Sequence, residues 1–152
     1  MMITPDRALI LAAKAALRTA LAAYVRPSDI YVTPHLAFVP SSVRTPCVGI
    51  KDGKIKREEL VGGCVGHEIE IQYCLFVGIR REEASIVGDE STGAKGLLQL
   101  RDDLHAALHG NTLGVPGVHA AFAARESGSD LFDSGAGMMQ RKIVTYTYEV
   151  QR

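Results

Sequence analysis

Five places in the chain bring chemistry-bearing residues close together. Gly88-Asp-Glu-Ser-Thr-Gly93-Ala-Lys95 sets two glycines five apart with a lysine behind them, the outline of a phosphate-cradling loop. That loop needs its lysine directly after the second glycine, followed by a hydroxyl residue for magnesium. Ala94 and Gly96 occupy those places instead, and no buried parallel strand leads in, so a flexible loop is expected. Cys64-Val-Gly-His67, with Cys74 ten residues on, has ligand-like spacing. On a strand of period two the cysteines share one face and His67 takes the other, so the three cannot converge on a tetrahedral zinc. The cysteines are expected as small apolar filling and His67 at the surface.

His105 and His109 lie one turn apart on a helix that also carries Asp102 and Asp103. The catalytic glutamate of a zincin helix is missing, and histidines near a helix C-terminus are favoured there by the macrodipole. Ser134 follows no strand-to-helix elbow, so it is not expected to be a nucleophile. Glu68 and Glu70 have the spacing of paired carboxylates, but beside Gln72 they read as a wet sheet face. The expectation is a protein that is not an enzyme and uses no cofactor or metal.

The elements that position these residues follow from periodicity. Thr4-Pro5-Asp6 has the form of a helix start, with a capping side chain and proline at the first helical position. Leu9, Ile10, Ala13, Leu17, Leu21 and Tyr24 then recur at helical spacing, predicting an amphipathic helix of about twenty residues that Pro27 ends. Arg7, Lys14 and Arg18 form its polar face. Ile30 and Val32 predict a short strand, Pro34 to Pro46 a loop, and Pro46 to Ile50 a second strand. Asp52-Gly53 is expected as a two-residue hairpin turn, with Lys54 to Leu60 pairing back or lying as a loop.

After Gly62-Gly63, Cys64 to Ile79 alternates with period two. Ile69, Ile71, Tyr73, Leu75 and Val77 face one way; Glu68, Glu70, Gln72, Cys74 and Phe76 face the other. Arg80 to Lys95 is expected as a loop. Gly96 to His109 is a second amphipathic helix, stopped by Gly110-Asn111. Pro116-Gly117 predicts a turn, Val118 to Arg125 a strand, and Ser127 to Met138 a mobile connection. Gln140 to Gln151 closes the chain as a strand, with Val144, Tyr146, Tyr148 and Val150 on one face and Arg141, Thr145, Thr147 and Glu149 on the other. This order predicts an α+β, two-layer fold: a mainly antiparallel sheet with two amphipathic helices packed on one side.

Composition sets the outer bounds. A chain of 152 residues with 47% hydrophobic and 22% charged side chains is expected to form one domain, residues 1–152, with a core of its own. Seventeen basic residues balance seventeen acidic ones, which argues against a dedicated nucleic-acid binder and leaves self-association permitted. Three cysteines, Cys47, Cys64 and Cys74, read as reduced thiols. Pro5 and Asp6 lie where a secretory leader would be cationic and then apolar, so none is expected, and no apolar run is long enough to span a membrane.

Taken together, the helix Pro5–Tyr24, the strand Asp29–Thr33, Pro46-Cys-Val-Gly-Ile50, the long strand His67–Ile79, the helix running from Gly96 to Leu113 with its Pro116-Gly117 exit, and the tyrosine-rich strand Gln140–Val150 resemble the tail terminator (tail completion) proteins of long-tailed bacteriophages. The likeness covers nearly the whole chain and is one of pattern, with no fingerprint motif. It implies a structural virion protein of the tail and neck, assembled in the host cytoplasm. It further implies a six-membered ring of identical copies that caps the tail tube, stops its polymerisation and joins it to the head connector. The implied partners are the chain itself, the tail tube protein and the head–tail connector protein, with DNA passing through the lumen without specific binding and no membrane involved. The alternatives are another head–tail connector or neck protein and, from a different class, a small-ligand-binding or enzymatic α+β domain.

Glu68, Glu70, Gln72, Arg141, Thr145, Thr147 and Glu149 are the candidate lumen or subunit-interface residues. The long strand and the terminal strand are expected to offer exposed edges that a neighbour extends. The loops Arg80–Lys95 and Ser127–Met139 are expected to order on contact with partner rings.

Overall fold

Alternation and helical spacing resolve into one six-stranded sheet and three α-helices in the computed structural model, which describes residues 4–60, 62–79, 82–135 and 137–151. Helix α1 spans Asp6–Ala20, α2 Glu82–Val87 and α3 Leu97–Leu108. Strand β1 is Ile30–Val32, β2 Cys47–Glu59, β3 Val65–Gly78, β4 Val118–Glu126, β5 Asp130–Asp133 and β6 Met138–Gln151. The spatial order is β1-β2-β3-β6-β4, with β5 also paired to β6. All pairings are antiparallel except β1 with β2. This is the expected α+β architecture, and α1 and α3 both pack on one face.

The core explains why. Leu9, Ala13 and Leu17 of α1 and Leu97, Leu100, Leu104 and Leu108 of α3 are buried against Ile69, Ile71, Tyr73, Val144, Tyr146 and Tyr148 of the central strands. Burying a leucine or isoleucine side chain contributes roughly 1.5–3 kcal/mol, so these two stripes fix the helices on that face. Helix α1 is shorter than its periodicity predicts. Pro5 stands just before its first turn, and no side chain caps it. Thr4, expected as the cap, instead accepts a hydrogen bond from Arg57 at 2.9 Å.

Asp52-Gly53 is not a hairpin turn. Strand β2 runs through it, and the two residues between Asp52 and Ile55 oppose the single Glu70 of β3, which makes a β-bulge. A Cβ at Gly53 would stand 2.8 Å from the Glu70 carbonyl oxygen, so the glycine admits a close strand crossing rather than a reversal. The reversal falls at Gly62-Gly63, both at positive φ, closed by Leu60 N–H donating to Cys64 O at 2.9 Å.

Two expected loops carry regular structure. Part of Arg80–Lys95 forms α2, a helix so short that packing on α3 must hold it; Arg80 and Arg81 lie outside the described residues. A Cβ on Gly96 would stand 2.3 Å from Gly88 N, so the close approach of the two helices requires that glycine. Within Ser127–Met138, β5 pairs with the start of β6. Its Phe132 joins Cys47, Cys74, Phe76 and Met139 in a second apolar cluster on the far side of the sheet. The loop between β1 and β2 covers the rest of that cluster with Leu36, Val39 and Val43.

The strands β3 and β6, expected to offer exposed edges, are interior: each is paired on both sides. No helix among the described residues is long and apolar enough to cross a membrane.

Candidate functional site

The sheet face turned away from α1 and α3 divides into two halves. The half near Phe76 is sealed by the second apolar cluster. The other half is open, and it is where the sequence places its interface candidates. Register aligns them in pairs: Glu68 with Glu149, Glu70 with Thr147, and Gln72 with Thr145. Six of the seven candidates therefore share one patch. Arg141 lies farther down the same face, opposite Phe76, where its guanidinium holds the Asp130 carboxylate through two contacts of 2.7 and 3.1 Å and lies 4.8 Å from the Phe132 ring centre. It ties β5 to β6.

The patch is mixed in sign. Arg125 of β4 grips both Glu70 oxygens at 2.9 and 2.8 Å. These hydrogen bonds, with the nearby Lys54, hold the Glu70 carboxyl below its usual range against the opposing effect of burial. His119 lies 3.9 Å from Glu149, and Lys56 sits opposite Glu68 on β2. The acids of this patch thus have basic side chains beside them.

The other sequence-flagged residues serve the fold. In the segment Gly88–Lys95, Asp89 N–H donates to Ala94 O at 3.0 Å and the Asp89 carboxylate accepts from Ser91 N–H and Oγ–H. The turn satisfies itself, with an acid where a phosphate would need donors. Lys95 Nζ lies 5.3 Å from the Tyr24 ring centre, and Tyr24 donates to Asp103. Around these residues, with Pro46, Val77 and Ala84, lies an open groove of about 400 Å³.

Of the two cysteines expected as filling, Cys74 is buried but Cys64, beside the Gly62-Gly63 reversal, is only partly so; burial pushes the thiols of Cys74 and of Cys47 up to about 12. His67 is not at the surface: it is 4% exposed, because alternation puts it on the same face as Ile69 and Ile71. His105 does not pair with His109 around an ion. Its Nδ1 meets the Tyr146 hydroxyl and its Nε2 lies 3.8 Å from Glu126. Among the described residues no group of three or more His, Cys, Asp or Glu side chains is placed to hold a metal.

One cluster escaped the sequence. Glu126, at the end of β4, gathers Arg101 at 3.3 Å, Lys142 at 3.4 Å and His105. The Lys142 ammonium, whose side chain is only 8% exposed, also donates to Ser127 O at 2.6 Å. The available signal was Lys142 itself, which stands on the apolar stripe of β6 two residues before Val144. A lysine there has to find acceptors.

No family model matches the chain. No curated protein matches it either. Among solved structures it is similar to a chain in the virion of native gene transfer agent (GTA) particle. The TM-score is 0.56 at 12% sequence identity, over 91% of this chain and 94% of that one. The two share a fold. The match takes in most of each chain.

Proposed function

We propose that this chain is a structural virion protein, and specifically a tail terminator: a ring-forming subunit that caps the tail tube, stops its growth and meets the head connector. The observation that carries the reading is the fold likeness to a virion chain, with over nine-tenths of both chains covered. The resemblance to tail terminators, drawn from the helix and strand pattern alone, supports it independently. The copies form a hexamer, with tube protein on one side and connector on the other. The protein acts without catalysis, its virion location following from the partners it binds.

The candidate residues divide under this reading. The Glu68–Glu149 patch, with its acids countered by Arg125, His119 and Lys56, suits contact between subunits or with the tube better than a DNA-repelling lumen. Arg141 acts inside the subunit by fastening β5.

The test mixes the purified protein with tail tubes assembled without a terminator and images the tube ends by electron microscopy. Rings on tubes of fixed length are expected. Tubes that keep growing with bare ends would overturn the terminator role and favour a connector elsewhere in the neck. The groove beside Tyr24 and Lys95 is the one observation that favours a ligand-binding domain instead. A rise in melting temperature with a nucleotide or divalent metal would support that reading.

A further inference from the structure

Beyond the short edge strands β1 and β5, two long stretches of backbone in this sheet have no strand beside them among the described residues, and they lie at its opposite margins. Strand β1 pairs with Val48, Gly49 and Ile50 of β2 and no further. Thr33 N–H donates to Ile50 O at 2.8 Å, and Pro34, which has no N–H to offer, then leads the chain away. From Lys51 to Glu59 the outer side of β2 is open. On the opposite margin, β4 pairs with β6 through one side, leaving the other side of Val118–Glu126 open. Each open stretch is nine residues long.

We infer that these two margins are the two halves of one joint: the distal half of β2 in one copy adds to β4 of the next, so that a single sheet continues from subunit to subunit. This deepens the ring reading above and rests on it. Direction favours the joint. Because β2 with β3, β3 with β6 and β6 with β4 are all antiparallel, β2 and β4 run oppositely within one copy. Placing a neighbour's β4 beside β2, with the helical layers on the same side, makes another antiparallel pair. The contact is head to tail, using different surfaces on its two sides, as a closed ring requires.

Side chains favour it as well. Residues 51–59 carry four cations, Lys51, Lys54, Lys56 and Arg57, against three acids. Residues 118–133, the β4–β5 margin, carry Arg125 against Glu126, Asp130 and Asp133. The β2 stretch is net positive by one, and over the facing residues 118–126 Arg125 and Glu126 cancel, so that edge sets no net charge against the incoming cations, while Asp130 and Asp133 add negative charge just beyond its end. Ala120, Ala123 and Ala124 leave space on β4 for the stems of the incoming lysines. The lysines and the Gly53 bulge also blunt indiscriminate pairing of β2, which keeps the free subunit from polymerising through this edge alone.

The test uses single cysteines on the assembled protein. Lys56→Cys and Ala120→Cys are each made in a Cys64→Ser background, checked for an unchanged melting temperature, and assembled on tail tubes separately and mixed. A short bis-maleimide should link K56C to A120C in mixed rings and leave rings of either variant alone unlinked. In parallel, amide exchange across 51–59 and 118–126 should slow at least tenfold on assembly, a readout that needs no substitution. Rings that form without the mixed cross-link and without slowed exchange would overturn the joint while leaving the ring intact. Bare tubes with no rings would instead overturn the ring reading on which the joint rests.

Discussion

Glu70 and Arg125 form a two-point ion pair across a strand to which neither belongs. Glu70 lies on β3, Arg125 on β4, and β6 runs between them. Thr145 and Thr147 of β6 lie beneath the bridge, 2% and 8% exposed on a face that is otherwise wet. One contact thus couples three strands of the open patch and shields two of its candidate interface residues.

Arg125→Gln should release that hold. The Glu70 carboxyl is held low chiefly by the Arg125 hydrogen bonds, so its stabilising effect is present above the ordinary glutamate range and lost as pH falls through the folded value. In the variant, carboxyl carbon titration by NMR should show Glu70 titrating at higher pH than in the parent. An unmoved titration would assign the shift to other neighbours.

Tyr73 and Tyr148 meet hydroxyl to hydroxyl at 2.7 Å in the core. Removing one hydroxyl strands the other, at a cost of about 1–3 kcal/mol, whereas removing both leaves an apolar contact of similar shape. Tyr73→Phe and Tyr148→Phe should each lower the melting temperature by several degrees, roughly 2–4 °C per kcal/mol. The double variant should lose less than either single one. Additive losses in thermal melts would refute a shared hydrogen bond.

Thiol labelling should be sharply uneven. Cys47 and Cys74 are buried with thiols pushed up to about 12, whereas Cys64 is partly exposed at the β2–β3 turn. Ellman's reagent should find one fast thiol in the native protein and three after denaturation. Fast reaction at Cys74 would mean that the Leu36–Val43 cover opens readily.

Asp29, 3% exposed, accepts two hydrogen bonds from Arg26 at 2.8 Å and one from Arg44 N–H at 3.0 Å. The Arg26 hydrogen bonds, then the Arg44 amide, depress its carboxyl against the effect of burial. Its stabilising effect is therefore complete above about pH 4, the ordinary aspartate value, and fades below it as the folded value is crossed. Asp29→Asn should lower stability at neutral pH and flatten the acid limb of the stability profile, followed by urea unfolding between pH 2 and 6. A parallel profile would exclude Asp29 as a source of that limb.

What the sequence determined by itself was the two long helices, the long strands β3 and β6, and the buried face of each. The 3.6-residue stripe of Leu97, Leu100, Leu104 and Leu108 and the two-residue alternation of Ile69, Ile71 and Tyr73 are local records of which side meets the core, and the structure keeps them. The grouping of Glu68, Glu70, Gln72, Thr145, Thr147 and Glu149 on one surface was legible for the same reason. Tertiary structure alone decided who pairs with whom. It carried β2 through Asp52-Gly53, made β5 from a four-residue segment and α2 from a six-residue one, and put β3 and β6 inside the sheet. It also gave Lys142 its acceptors at Glu126 and Ser127. The physical reason is that short segments lack enough local hydrogen bonds and apolar area to hold a shape unaided, so their form is set by partners distant in sequence. Periodicity reports how much of a face is apolar; it carries no information about which strand will lie beside it.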